Sequence, residues 1–139
     1  MVRRCPSAEF VGVAKLNNYK LAFAGRGVAN VEACKGASTP VALWSLTADD
    51  VSRLDVFEGC PRVYAKKWVA MLFRGRKVKV LVYVMVGARV YIPAVPSNEY
   101  FKRIFWAYVD LGIDADTLLD ALAGSCREVK HSHLYYGGF

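Results

Sequence analysis

Apolar residues in the first third of the chain come in short runs dense in valine, phenylalanine and tyrosine, the pattern of strands rather than helices. EFVGVAKL (9–16) and YKLAFAG (19–25) are two such runs separated by Asn17-Asn18, and VANVEA (28–33) and PVALWSL (40–46) are two more separated by the turn-rich CKGAST. The period then changes. In TADDVSRLDVFEG (47–59), Thr47 followed three residues later by Asp50 has the form of a capping box, Asp49 and Asp50 suit the positive end of the helix dipole, and Gly59 supplies a stop. VYAKKWVAMLF (63–73) and VKVLVYVMV (78–86) predict a hairpin around Gly75, the second run apolar enough for a central strand. Ser97 then caps a helix through Asp110 whose Phe101, Ile104, Phe105 and Tyr108 share a face, and Gly112 ends it. DADTLLDALAG predicts a short helix with Asp114 or Asp116 as cap and Gly124 as stop. Strands, a helix, two strands and two helices, with no repeat between them, predict an α+β fold: a small mixed β-barrel with flanking helices.

One position breaks the amphipathic pattern. At about 100° per residue, Ala48, Val51, Leu54 and Phe57 fall on one arc, and Glu58 falls inside it. The pattern leaves two readings open. Either Glu58 turns outward at a frayed helix end, or its carboxylate is held against a cleft, where lost hydration raises its pKa and suits it to exchange protons near neutrality.

Composition narrows the function classes. With 139 residues, 55% hydrophobic and 22% charged, the chain is expected to form one domain over 1–125 and a C-terminal tail over 126–139. No apolar run reaches the ~18 residues of a membrane span, and MVRRCPSAEF has no signal-like stretch, so a cytoplasmic protein without membrane attachment is expected. The +7 formal charge is dispersed, its densest groups being Lys66-Lys67 and the RGRK stretch at 74–77, which reads as a solvated hairpin tip; nucleic-acid binding is not expected. Cys5, Cys34, Cys60 and Cys126 read as free thiols. Cys126, His131 and His133 lack a fourth ligand at a familiar spacing, so no metal is assigned, and GRG at 25–27 is a loop rather than a dinucleotide fingerprint.

Three segments together are more specific. GVAKLNNYKLAFAGRGVANV, LDVFEGCPRVY and PSNEYFKRIFWAYVDLGI resemble three successive signatures of the γ-glutamylcyclotransferase-like proteins, over roughly residues 3 to 123. The resemblance implies an enzyme in which a small barrel holds one catalytic glutamate, here Glu58. The free α-amine of a γ-glutamyl group attacks its own γ-carbonyl, forming 5-oxoproline and releasing an amine or amino acid. It implies no metal or organic cofactor, because the nucleophile lies within the small-molecule substrate and well-oriented ring closures reach effective molarities of about 10⁵ M or more. By position in the motifs, Tyr100 and Tyr64 line the substrate pocket; the alternative, stronger for Tyr64 than for Tyr100, is that the ring packs in the core with its hydroxyl satisfied.

The chain also departs from that family. Members begin with a strand ending in a Tyr-Gly-Ser-Asn-Leu loop whose amides hold the γ-glutamyl group, followed by a helix equivalent to VRRCP. Here Met1 falls inside that helix, so the loop and its share of oxyanion stabilisation are expected to be missing. Three functions therefore stay open: an active cyclotransferase, a degenerate member that binds a small γ-glutamyl-like or acidic ligand without turnover, and a basic interaction protein on the same fold. A barrel without its first strand exposes an edge, which leaves two readings of the tail HSHLYYGGF: terminal residues without fixed structure, or a strand that docks at that edge from its own chain or, in a homo-oligomer, from a neighbour.

Overall fold

The computed structural model describes residues 4–87, 90 and 92–137, with side chains through Arg127. The elements follow the expected order: β1 (Glu9–Ala24), β2 (Val28–Ser45), α1 (Ala48–Phe57), β3 (Tyr64–Phe73), β4 (Arg76–Met85), α2 (Asn98–Asp110) and α3 (Asp116–Gly137). The four short strands expected at the start fuse into two long ones, paired antiparallel from Glu9↔Ser45 to Ala24↔Val28. Asn17-Asn18 and CKGAST form a slip in this ladder rather than chain turns. Asn18 takes a left-handed φ of 65°, and its side-chain oxygen accepts from the Gly36 N–H at 3.1 Å, supplying a bond beside the point where the backbone register shifts.

β3 and β4 pair from Tyr64↔Met85 to Phe73↔Arg76 around Arg74-Gly75. Both turn residues have positive φ, 51° and 76°, as a two-residue hairpin turn demands. The expected closed barrel is not seen among the described residues. Among the described residues the strands make two separate two-stranded antiparallel sheets, and β4 pairs with β3 alone instead of lying centrally. Over 77–80 its side chains alternate, Lys77 and Lys79 exposed and Val78 and Val80 half-buried, so this part of β4 has one covered face, as in a one-sided antiparallel sheet.

The two sheets meet around buried Leu16, Leu43 and Met71, joined by Val41, Val69, Val78 and Val80. A second core forms where α2 and α3 cover one end of β1: Phe23, Leu118 and Ala121 are buried against Phe101, Ile104, Phe105 and Tyr108, the face expected of α2. Asp114, one of the two caps expected for α3, accepts from the Asp116 N–H at 2.7 Å.

Three expectations for the chain ends are corrected. α3 does not stop at Gly124 but continues to Gly137, since a glycine inside a helix costs only about 1 kcal/mol relative to alanine. Residues 131–137 are thus helical rather than the extended strand of the docking reading of HSHLYYGGF, whose last two residues lie outside the described ones. At the other end, Arg4–Ser7 form a turn closed by the Ala8 N–H on the Cys5 carbonyl at 3.0 Å, so the described part of VRRCP is not the expected helix, while Val2 and Arg3 lie outside the described residues. No described helix is long and apolar enough to cross a membrane.

Candidate active site

The site begins with the capping of α1. Thr47 Oγ1 accepts from the Asp50 N–H at 3.2 Å, Asp50 returns the bond to the Thr47 N–H at 3.0 Å, and Ser7 donates to the other carboxylate oxygen at 2.8 Å. This is the capping box expected, and it places Asp50 in full burial. The backbone bond from Thr47 is the largest influence lowering the Asp50 pKa, so the acceptor stays ionised despite its burial.

With its first turn fixed and Leu54 buried, α1 delivers Glu58 to a defined place. Glu58 is the C-terminal cap; its N–H bonds the Leu54 carbonyl at 2.8 Å, and Gly59, at φ 63°, turns the chain away. The helix end is hydrogen-bonded, not frayed. The apolar arc is narrower than expected: Leu54 is buried and Val51 half-buried, but Ala48 is exposed and Phe57 is 57% exposed, its ring covered by the Arg4 guanidinium at 3.7 Å.

The Glu58 side chain, 23% exposed, lines a cleft of about 680 Å³. Burial raises its pKa above the ordinary glutamate value, and Arg4, whose Nη1 stands 3.9 Å from Oε1, offsets part of the rise. Both tyrosines expected at the site line the same cleft. Their hydroxyls are tied to one backbone unit of β2: Tyr64 donates to the Ala29 carbonyl at 2.9 Å, and Tyr100 accepts from the Ala29 N–H at 2.9 Å. The two rings differ in what remains free. Tyr64 has spent its proton and keeps oxygen lone pairs, whereas Tyr100 has spent a lone pair and keeps its proton. Ser97 accepts from the Tyr100 N–H at 3.2 Å, so its role as the cap of α2 also seats this ring.

Sequence reading missed the rest of the lining. Arg4, Arg26 and Arg103 bring positive charge from three separate segments, and Tyr83 brings a third hydroxyl. Tyr83 donates to Asp55 Oδ1 at 2.6 Å, and Lys66 holds the other carboxylate oxygen at 2.9 Å. A signal for this group existed. Asp55 precedes Glu58 by three residues, one helical turn, and the hairpin register around Gly75 puts Tyr83 opposite Lys66, two positions from the Tyr64↔Met85 pair. Among the described residues no three His, Cys, Asp or Glu side chains gather as a metal site, and the side chains of His131 and His133 lie outside them.

A family model described as "Gamma-glutamyl cyclotransferase, AIG2-like" matches residues 2–102. The chain belongs to that family. Two solved structures share its fold. One, described as a gamma-glutamyl cyclotransferase, superposes with a TM-score of 0.75 at 22% identity, covering 86% of this chain and 76% of its own. The other, an uncharacterized protein from Homo sapiens, gives 0.74 at 23% identity with the same coverage. No curated protein matches the chain in sequence. Among the described residues, the cleft at the end of α1 brings together Tyr64, Tyr83, Tyr100, Arg4, Arg26, Arg103 and Glu58.

Proposed function

We propose that the protein is a γ-glutamylcyclotransferase that converts a γ-glutamyl compound into 5-oxoproline and a free amine or amino acid, with Glu58 as general acid and base. The observation that carries this reading is the placement of Glu58: the C-cap residue of α1, with a partly desolvated carboxylate of raised pKa, in a cleft it shares with three tyrosines.

Between substrate and products the α-ammonium gives up two protons and the departing nitrogen gains two. The α-nitrogen forms a bond to the γ-carbon, and the bond from that carbon to the leaving nitrogen breaks. A single carboxylate that takes each proton from the attacking side and passes it to the leaving side is regenerated at the end, so no cofactor is needed. Tyr100, with its proton free, is suited to donate to the γ-carbonyl oxygen as it gains negative charge. Tyr64 is suited to accept from an N–H group.

Incubation with a panel of γ-glutamyl amino acids and γ-glutamyl amines, assayed for 5-oxoproline, tests the reading. Turnover of at least one member is the expected result. Arginines from three segments favour a second reading, in which the cleft holds an acidic γ-glutamyl-like ligand without turnover; calorimetric binding of a panel member with no 5-oxoproline formed identifies that case.

Two further outcomes follow from the geometry. Tyr100→Phe removes the donor to the substrate and also leaves the Ala29 N–H without its acceptor, so KM rises severalfold and stability falls by about 1 to 2 kcal/mol. Unchanged kinetics would reduce Tyr100 to a packing residue. The pH profile of kcat/KM should have an acid limb above the ordinary carboxylate range, because Glu58 must be ionised to accept a proton and burial resists ionisation. Arg4 favours the ionised form, so Arg4→Met moves that limb to higher pH; a limb that stays put shows that Arg4 does not act on Glu58 in solution.

A further inference from the structure

Tyr64, Lys66, Tyr83 and Met85 occupy one face of the β3–β4 hairpin, because Tyr64 pairs with Met85, Lys66 pairs with Tyr83, and side chains two apart on a strand share a face. That face meets α1 through the bonds of Lys66 and Tyr83 to Asp55. Glu58 is one turn further along α1 and lines the cleft together with Tyr83.

The hydrogen bonds fix which role each hydroxyl is able to play. A tyrosine hydroxyl has one proton and two lone pairs. Tyr83 has committed its proton to Asp55 at 2.6 Å, the short distance of a bond to a charged acceptor. Asp55 cannot easily release it: the bonds from Lys66 and Tyr83 hold its carboxyl below the usual carboxylate range, so it remains an anionic acceptor throughout the neutral region. What Tyr83 offers the cleft is therefore oxygen lone pairs. Tyr64, whose proton is on the Ala29 carbonyl, offers the same. Among the described side chains of the cleft, Tyr100 and the three arginines are able to donate, while Glu58, Tyr64 and Tyr83 are able to accept.

We propose that Tyr83, locked by Asp55 and Lys66, is a substrate-positioning residue whose hydroxyl oxygen accepts a hydrogen bond from the substrate's α-ammonium beside Glu58. The assignment rests on the cyclotransferase reading and adds to it a recognition rule: the ammonium is selected by acceptors on the hairpin face, and Tyr83 is not available to donate to the γ-carbonyl. Asp55 acts through Tyr83 and makes no contact with substrate of its own. Lys66 neutralises Asp55, so the group adds an acceptor to the cleft without adding net charge.

The test compares two ligands that differ only in the amine: γ-glutamyl methylamide, and glutaric acid mono-methylamide, which lacks the α-amine and acts as a competitive inhibitor. Tyr83→Phe is expected to raise the KM for the first about tenfold, the usual scale of a bond to a charged group, with the inhibition constant of the second unchanged. Asp55→Asn, whose amide can donate to Tyr83 and free its proton, is expected to produce the same selective loss, and the double variant to be no worse than Tyr83→Phe alone. Equal weakening of both ligands, or of neither, overturns the proposal, because a purely structural role does not sense the amine. If the wild-type protein binds γ-glutamyl methylamide without converting it, dissociation constants replace KM; the proposal stands or falls on the same comparison, and only catalysis is lost. Wild-type protein that binds neither ligand overturns both readings.

Discussion

Glu58→Gln should lower 5-oxoproline formation from any γ-glutamyl substrate by about 10² or more while leaving the fold intact. Glutamine has the same length and still accepts hydrogen bonds, so the cleft keeps its shape; what disappears is the group that carries two protons from the attacking to the leaving nitrogen. The effect belongs in kcat and kcat/KM alike if the proton transfers limit the chemical step. Stability separates this result from damage. Because burial raises the Glu58 pKa in the folded chain, the folded state binds its proton more tightly than the unfolded state does. The folded state is therefore penalised as pH rises through that pKa, and glutamine removes the penalty. The variant's Tm should equal or exceed the parent's at pH 7 and match it at low pH, since among the described residues the ion pair lost is the weak one with Arg4 at 3.9 Å. An unchanged rate of cyclisation would remove Glu58 from the mechanism.

How much of this was legible depended on whether the deciding contact is local. The α1 capping box, the stop at Gly59 and the hairpin at Gly75 are set by residues within a few positions of one another, and each appears where the sequence placed it. Glu58, Tyr64 and Tyr100 were placed by motif, and the fold brings all three to one cleft. The failures involve partners distant in sequence. The four expected strands are two because the ladder continues on both sides of the register shift where Asn18 bonds Gly36, and periodicity along one strand carries no sign of that pairing. The order of elements implies a barrel and the apolar density of β4 a central strand, but neither order nor density says which strands pair, and that depends on partners distant in sequence. Arg4, Arg26 and Arg103 are separated by 22 and 77 residues, and no spacing rule links them. Gly124 read as a stop because glycine often ends helices; inside α3 the helix continues through it at modest cost.

The largest stability effect is expected at Gly27, in the turn that joins β1 to β2 beside the cleft. Its φ of 81° already disfavours any side chain, and a Cβ there would stand 2.6 Å from the Val95 carbonyl oxygen and 3.1 Å from Pro96 Cα. These are backbone atoms, so relief requires moving the chain rather than rotating a side chain. That chain is anchored: Ala24 bridges to Pro93, the Gly25 N–H bonds the Ile92 carbonyl at 3.0 Å, and Ser97 immediately afterwards caps α2 and seats Tyr100. Gly27→Ala therefore combines left-handed strain with a steric displacement and should cost about 3 to 4 kcal/mol, lowering Tm by about 10 °C or more. Gly36→Ala isolates the first component, since Gly36 has nearly the same φ, 85°, and nothing within 4 Å of its would-be Cβ; it should cost only about 1 kcal/mol. The difference between the two variants measures how firmly the turn is wedged against residues 92–96. Because Gly27 lies two residues before Ala29, and Pro96 directly precedes Ser97, which bonds the Tyr100 N–H, Gly27→Ala should also raise KM at temperatures where it remains folded, whereas Gly36→Ala should leave KM alone. Equal losses of Tm in the two variants would mean that the loop yields to the added methyl group, and that Tyr100 is held by α2 rather than by the turn.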